Sequence, residues 1–91
     1  MENYQPQIGR VCMAVSGRDA GKHFIIFGIV DEDYVLIVDG KTRTIAKPKK
    51  KKLKHLKLRG EVTEKIAEKI VAEKLLHDPE IKSALRAFNI E

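Results

Sequence analysis

Apolar residues run unbroken from 11 to 15. Val11, Met13 and Val15 fall on one side of an extended segment, with Cys12 and Ala14 on the other, which predicts a strand over residues 11–15. A polar, glycine-containing connection follows, Ser16-Gly17-Arg18-Asp19-Ala20-Gly21-Lys22. Residues 23–30 are rich in β-branched and aromatic types and predict a second strand. Their continuous apolarity implies cover on both faces along part of its length. Asp31, Glu32 and Asp33 make a solvated turn, and residues 34–38 form a third strand. Asp39-Gly40 reads as a two-residue hairpin turn, because type I′ geometry needs positive φ at both central positions. Residues 41–45 should then return as a fourth strand. Pro48 lacks an amide proton and interrupts pairing. Beyond it, His55, Lys57 and Arg59 alternate with Leu56 and Leu58, a fifth strand with leucines inward and basic side chains outward.

The period changes after Gly60. Thr63 can cap a helix whose apolar face holds Ile66, Ile70 and Leu75, with Ala67 and Val71 beside them. His77-Asp78-Pro79 marks a break, with Asp78 as N-cap and Pro79 at the first helical position. A second helix over residues 80–89 turns Ile81, Leu85 and Phe88 to one side. This apolar face needs a partner, and the second face of the strand around Phe24 and Phe27 can supply it. The expected organisation is an N-terminal arm (1–7), a five-stranded barrel (8–59) and a helical tail (60–91) packing on the barrel or extending from it. Ninety-one residues suffice for one compact unit of this mainly β class and not for two separate cores.

Charge sharpens the picture. Residues 1–46 hold five basic and six acidic side chains, and residues 60–91 hold five and seven. Between them, eight of the thirteen residues 47–59 are Lys or Arg and none is acidic. The net charge of +5 therefore comes from one block. Such a block favours a polyanion, since docking on phosphates releases condensed counterions, although a lysine run can also be a solvated loop. Because its second half falls in the fifth strand, the run should be only partly loop, with those charges ordered on a barrel wall. The longest apolar stretch, residues 24–30, is far short of the roughly 20 residues that span a bilayer. The N-terminus lacks the basic start and apolar run of a signal peptide, and Cys12, the single cysteine, has no internal partner. A reducing cytoplasm is the expected setting.

With these elements placed, residues 11–37 resemble a KOW motif, a strand–loop–strand unit of ribosomal proteins and transcription elongation factors, whose invariant glycine falls at Gly21. The wider pattern is similar to the large-subunit ribosomal protein family fourteen-e and its short bacterial stand-alone relatives. It runs through Gly9-Arg10-Val11, the loop 16–22, Val38-Asp39-Gly40-Lys41 and Pro48-Lys49-Lys50-Lys51-Lys52-Leu53-Lys54-His55-Leu56. The resemblance implies an SH3-like barrel with ribosomal or other structured RNA as ligand. It departs at Ala20, where relatives often carry a basic residue, and in the mildly acidic tail, which is not expected to thread through ribosomal RNA.

The expected RNA-binding set is Arg10, Arg18, Lys22, His23, Arg43, Lys47, Lys49, Lys50, Lys51, Lys52, Lys54, His55, Lys57 and Arg59, with Ser16, Gly17, Asp19 and Gly21 forming the KOW loop. Lysines supply point charges and Arg59 a planar fork for phosphate. Contact by about five of these groups gives a log–log salt slope of roughly −3.5 to −4.5. Gly17 and Gly21 let backbone amides approach a sugar-phosphate strand, or simply make the turn. The loop is not a nucleotide-binding P-loop, being one residue too short before Lys22 and lacking Ser or Thr after it. Phe24 and Phe27 read as core, Tyr34 as a strand-edge residue and Tyr4 as a ring free to stack. No metal set, cofactor, small-molecule substrate or catalytic constellation is expected: His23, His55 and His77 lack metal-site spacing, and Cys12 reads as packing. The competing class is a protein-interaction adaptor of the transcription or translation machinery, docking through the amphipathic tail.

Overall fold

The computed structural model describes residues 4–88, so residues 1–3 of the expected arm and Asn89 of the second helix lie outside the described residues. Five antiparallel strands form one sheet: β1 (Arg10–Ala14), β2 (His23–Ile29), β3 (Tyr34–Val38), β4 (Lys49–Lys52) and β5 (Leu56–Val62), in the order β4-β3-β2-β1-β5. Between the two edge strands the chain passes through a single 3₁₀ turn, Leu53–His55. The Leu53 amide donates to Asp33 O at 2.7 Å and the Val15 amide to His55 O at 2.9 Å. These bonds curl the sheet into a small SH3-like barrel, followed by helices α1 (Glu64–Val71) and α2 (Asp78–Ala87). Among the described residues no helix is long and apolar enough to cross a membrane.

Alternation along the strands builds two cores. Cys12, Ala14, Phe24, Ile26, Val35, Ile37 and Leu56 fill the barrel, closed over by Leu53 and Leu58. Val11, Ile25 and Val38 point the other way and pack with Ile66, Ile81 and Leu85 of the helices. Side chains on this second face include Phe27 and Phe88. The continuous apolarity of β2 thus has its cause: Phe24 and Ile26 serve the barrel while Ile25 and Phe27 serve the helices. At roughly 1.5–3 kcal/mol for each fully buried Ile, Ile81 alone is a substantial part of what docks α2.

Three expectations need correction. Residues 41–45 form no strand. Asp39 Oδ1 accepts from the amides of Lys41 and Arg43, both at 2.9 Å, and this local alternative outcompetes a ladder. The edge of β3 is instead taken by the lysine run, in the register Tyr34↔Lys52 to Ile37↔Lys49. Consequently the first half of the basic segment is strand rather than loop, and His55 sits in the 3₁₀ turn rather than in β5.

The tail also differs in detail. Helix α1 ends at Val71, and Glu73 follows with a φ of 55°, so Leu75 leaves the helical face and is 77% exposed, with Val71 at 71%. Thr63 stands at the N-cap position but its hydroxyl donates to Gly9 O at 2.7 Å. Asp78 is not the cap of α2. His77 is, with its amide held by the Glu80 carboxylate at 2.8 Å, while Asp78 Oδ1 accepts from the Ile45 amide at 2.9 Å.

Candidate nucleic-acid interface

A strand made of four lysines must divide them between its faces, because side chains alternate. Lys50 and Lys52 lie opposite Leu36 and Tyr34, and their ammonium groups stand 4.8 and 5.8 Å from the centre of the Tyr34 ring. Lys49 and Lys51 lie opposite the barrel residues Ile37 and Val35. From there Lys51 reaches the β1–β2 loop, donating to Ser16 O at 3.3 Å. The positive side chains are therefore displayed on two sides of an ordered edge, not on one wall. Among the described residues, none of the lysines from 47 to 57 forms an ion pair. In the tail, Glu61 holds Arg59 and Glu80 holds Lys69.

The β1–β2 loop carries Ser16, Gly17, Arg18, Asp19, Gly21 and Lys22. Gly17 and Gly21 have φ of 80° and 88°, the left-handed region that favours glycine. The amides of Ala20, Gly21 and Lys22 donate to the carbonyls of Gly17, Ala14 and Asp19 at 3.2, 2.8 and 2.9 Å. These three amides hold the turn and are not presented to a ligand. Asp19 is a buried anchor: its Oδ2 accepts from Arg43 Nη2 at 2.9 Å and Nε at 3.3 Å. Burial alone would push its carboxyl up, but the hydrogen bond and charge of Arg43, with Lys22 and Lys51 behind, outweigh that and hold it below the usual carboxylate range.

This geometry removes some expected ligands from the surface. Arg10 is buried, its guanidinium donating to Gln5 O, Arg59 O and Gln7 Oε1 at 2.8–3.0 Å and covering the Tyr4 ring at 5.0 Å. It ties the N-terminal segment to β5, and Tyr4 is correspondingly packed instead of free to stack. Arg43 is neutralised by Asp19. Arg59 meets Glu61 through two bonds of 3.0 Å and lies 3.4 Å from His23 Nε2. Positions 59 and 61 share a strand face, so that pairing was readable from the spacing alone. Arg18, Lys47, Lys49, Lys54 and Lys57 are exposed, and His55 is half-buried. Cys12 lies fully inside the barrel, where burial pushes its thiol up to about 12, consistent with packing rather than nucleophilic chemistry.

A concavity absent from the sequence reading lies between Lys22, His23, the 39–42 loop and α2. It encloses about 410 Å³ and collects Lys41, Thr42, Lys82 and Leu85 around the first two residues. Lys82 and Lys41 carried no local signal, because only the seating of α2 brings them beside the barrel.

No protein-family model matches the chain. It is similar to proteins named large ribosomal subunit protein eL14. The relative from Staphylothermus marinus is 42% identical over 50 residues, 55% of this chain and 52% of the relative, so the chain spans about half that protein's length. In Saccharolobus solfataricus the likeness is 34% over 84 residues, 92% of this chain and 80% of the relative. In Pyrobaculum arsenaticum it is 36% over 83 residues, 91% and 74%. With a barrel of the expected kind and a match over about nine-tenths of its length, the chain belongs to the eL14 family of large ribosomal subunit proteins.

Proposed function

We propose that this chain is a non-catalytic RNA-binding protein of the large ribosomal subunit, and that it holds ribosomal RNA against the basic edge of its barrel. Support comes chiefly from β4: four lysines on an ordered sheet edge, none ion-paired among the described residues. Lysine contacts of this kind position a protein on phosphate without reading sequence, so selectivity comes from the shape of the folded RNA. The contact set is Lys47, Lys49, Lys50, Lys52, Lys54 and Lys57 with Arg18, Lys22 and Lys51 from the neighbouring loop region. A ribosomal role implies a cytoplasmic location. Binding of transcribed large-subunit ribosomal RNA at two salt concentrations is the test, with Lys49, Lys50, Lys51 and Lys52 changed to Ala. Weaker binding and a shallower salt slope are expected; unchanged affinity and slope would remove β4 from the interface.

One observation favours a protein contact beside the RNA. Exposed Leu75 lines an apolar groove with Phe27, Ile70 and Leu76. A ribosomal protein retained after nuclease treatment and lost on Leu75→Ser would support that adaptor role.

A further inference from the structure

We infer that the cleft between the β1–β2 loop, the 39–47 loop and α2 is a second subsite for the RNA backbone, in which Lys82 of the helical tail joins Lys22, His23 and Lys41 around a phosphodiester. The inference rests on the RNA-binding reading above and extends it to a part of the chain whose composition is mildly acidic.

Three chain segments contribute. Lys22 closes the loop, His23 opens β2, Lys41 follows Gly40, and Lys82 comes from the first half of α2. Asp39, the carboxylate of the cleft lining, is oriented by its own loop. Its Oδ1 accepts from the Lys41 and Arg43 amides at 2.9 Å and its Oδ2 from Thr42 Oγ1 at 3.1 Å. Lys22 has its nearest carboxylate, Asp19, at 3.8 Å, and Asp19 is already committed to Arg43. His23 touches Arg59, whose charge Glu61 balances. The cleft lining thus carries the three lysines against the single carboxylate of Asp39, and a concave site of net positive charge concentrates anions.

The cleft is also pre-shaped. Gly40 has φ of 79°, and a β-carbon there would stand 2.5 Å from Asp78 O and 2.8 Å from Lys82 Cγ. Only glycine allows α2 to press its Lys82 stem against the loop. The Asp78–Ile45 bond fastens the other end of that loop to the same helix. Lys82 is therefore aimed by backbone packing rather than by a mobile tether.

The test is RNA binding by a Lys41→Gln, Lys82→Gln variant, which keeps the Cβ and Cγ of each stem, run beside a Lys50→Gln, Lys52→Gln variant on the same ribosomal RNA. Unfolding midpoints matching the parent protein certify that α2 stays docked. Loss of two phosphate contacts should make the log–log salt slope of the first variant shallower by roughly 1.4–1.8. Full affinity and slope in that variant, with binding weakened in the β4 variant, overturn the cleft subsite and leave the RNA reading standing. Undiminished binding in both variants removes both. Inorganic phosphate supplies a second arm, read from His23 and Lys82 resonances. If phosphate shifts them while RNA does not, the cleft takes a free anion and the backbone assignment fails.

Discussion

Arg43 reaches across to the buried carboxylate of Asp19, which is 8% exposed, and donates to one of its oxygens from both Nη2 and Nε. Twenty-four positions separate the two residues, and the bond joins the β1–β2 loop to the loop before β4. Asp19→Asn should cost about 1–3 kcal/mol in denaturant unfolding, the range for disrupting a buried charge-assisted contact. A pH signature accompanies it. The folded carboxyl titrates below its unfolded value of about 3.9, so this contribution is complete above that pH and is lost as pH falls through the folded value. The Asn variant should lack this part of the acid dependence.

The two faces of β4 should contribute unequally to RNA binding. Lys50 and Lys52 flank Tyr34, whereas Lys51 is partly engaged by Ser16 O and lies near Asp19. Changing Lys50 and Lys52 to Gln should make the salt slope shallower by roughly 1.4–1.8. Changing Lys49 and Lys51 should do less. Equal losses would mean that the RNA wraps the edge and meets both faces.

Gly40 and Gly21 separate two costs of adding a methyl group. Both sit at positive φ, 79° and 88°, but the β-carbon of Gly21 would meet nothing within 4 Å while that of Gly40 would strike Asp78 O. Gly21→Ala should lose about 1–3 kcal/mol from backbone strain alone. Gly40→Ala should lose more and should loosen α2, seen as faster amide exchange over Asp78–Ala87. Equal losses would show that the helix does not depend on that close approach.

These residues also mark what could be read from the chain. Alternation at Leu56 and Leu58 and the apolar run of β2 carried the barrel, because core positions repeat with period 2. Asp39-Gly40 looked like a hairpin turn because glycine there answers to positive φ. The same glycine also answers to contact with a helix that begins 38 positions later, which local pattern cannot encode. Four consecutive lysines have no alternation to betray a strand, and β4 exists because β3 offers it an edge. The basic block was legible as composition, but its division between two faces followed only from the register. Arg10 illustrates the same limit: its charge was visible, its burial under the N-terminal segment was not.

His23 offers a final check on the surroundings of the cleft. Burial lowers its pKa, the neighbouring Arg59 charge lowers it further, and Glu61 works in the opposite direction. Its NMR titration midpoint should therefore fall below the usual 6.5, and Glu61→Gln should depress it again by leaving Arg59 unbalanced. For stability the sign is fixed: as pH falls below about 6.5 the unfolded chain takes up the proton before the folded one does. Stability relative to a His23→Gln variant should decline from pH 7 downward and level off once the folded imidazole is protonated. A midpoint that stays at 6.5 in both the parent protein and the Glu61 variant would mean that Arg59 does not sit against the ring in solution.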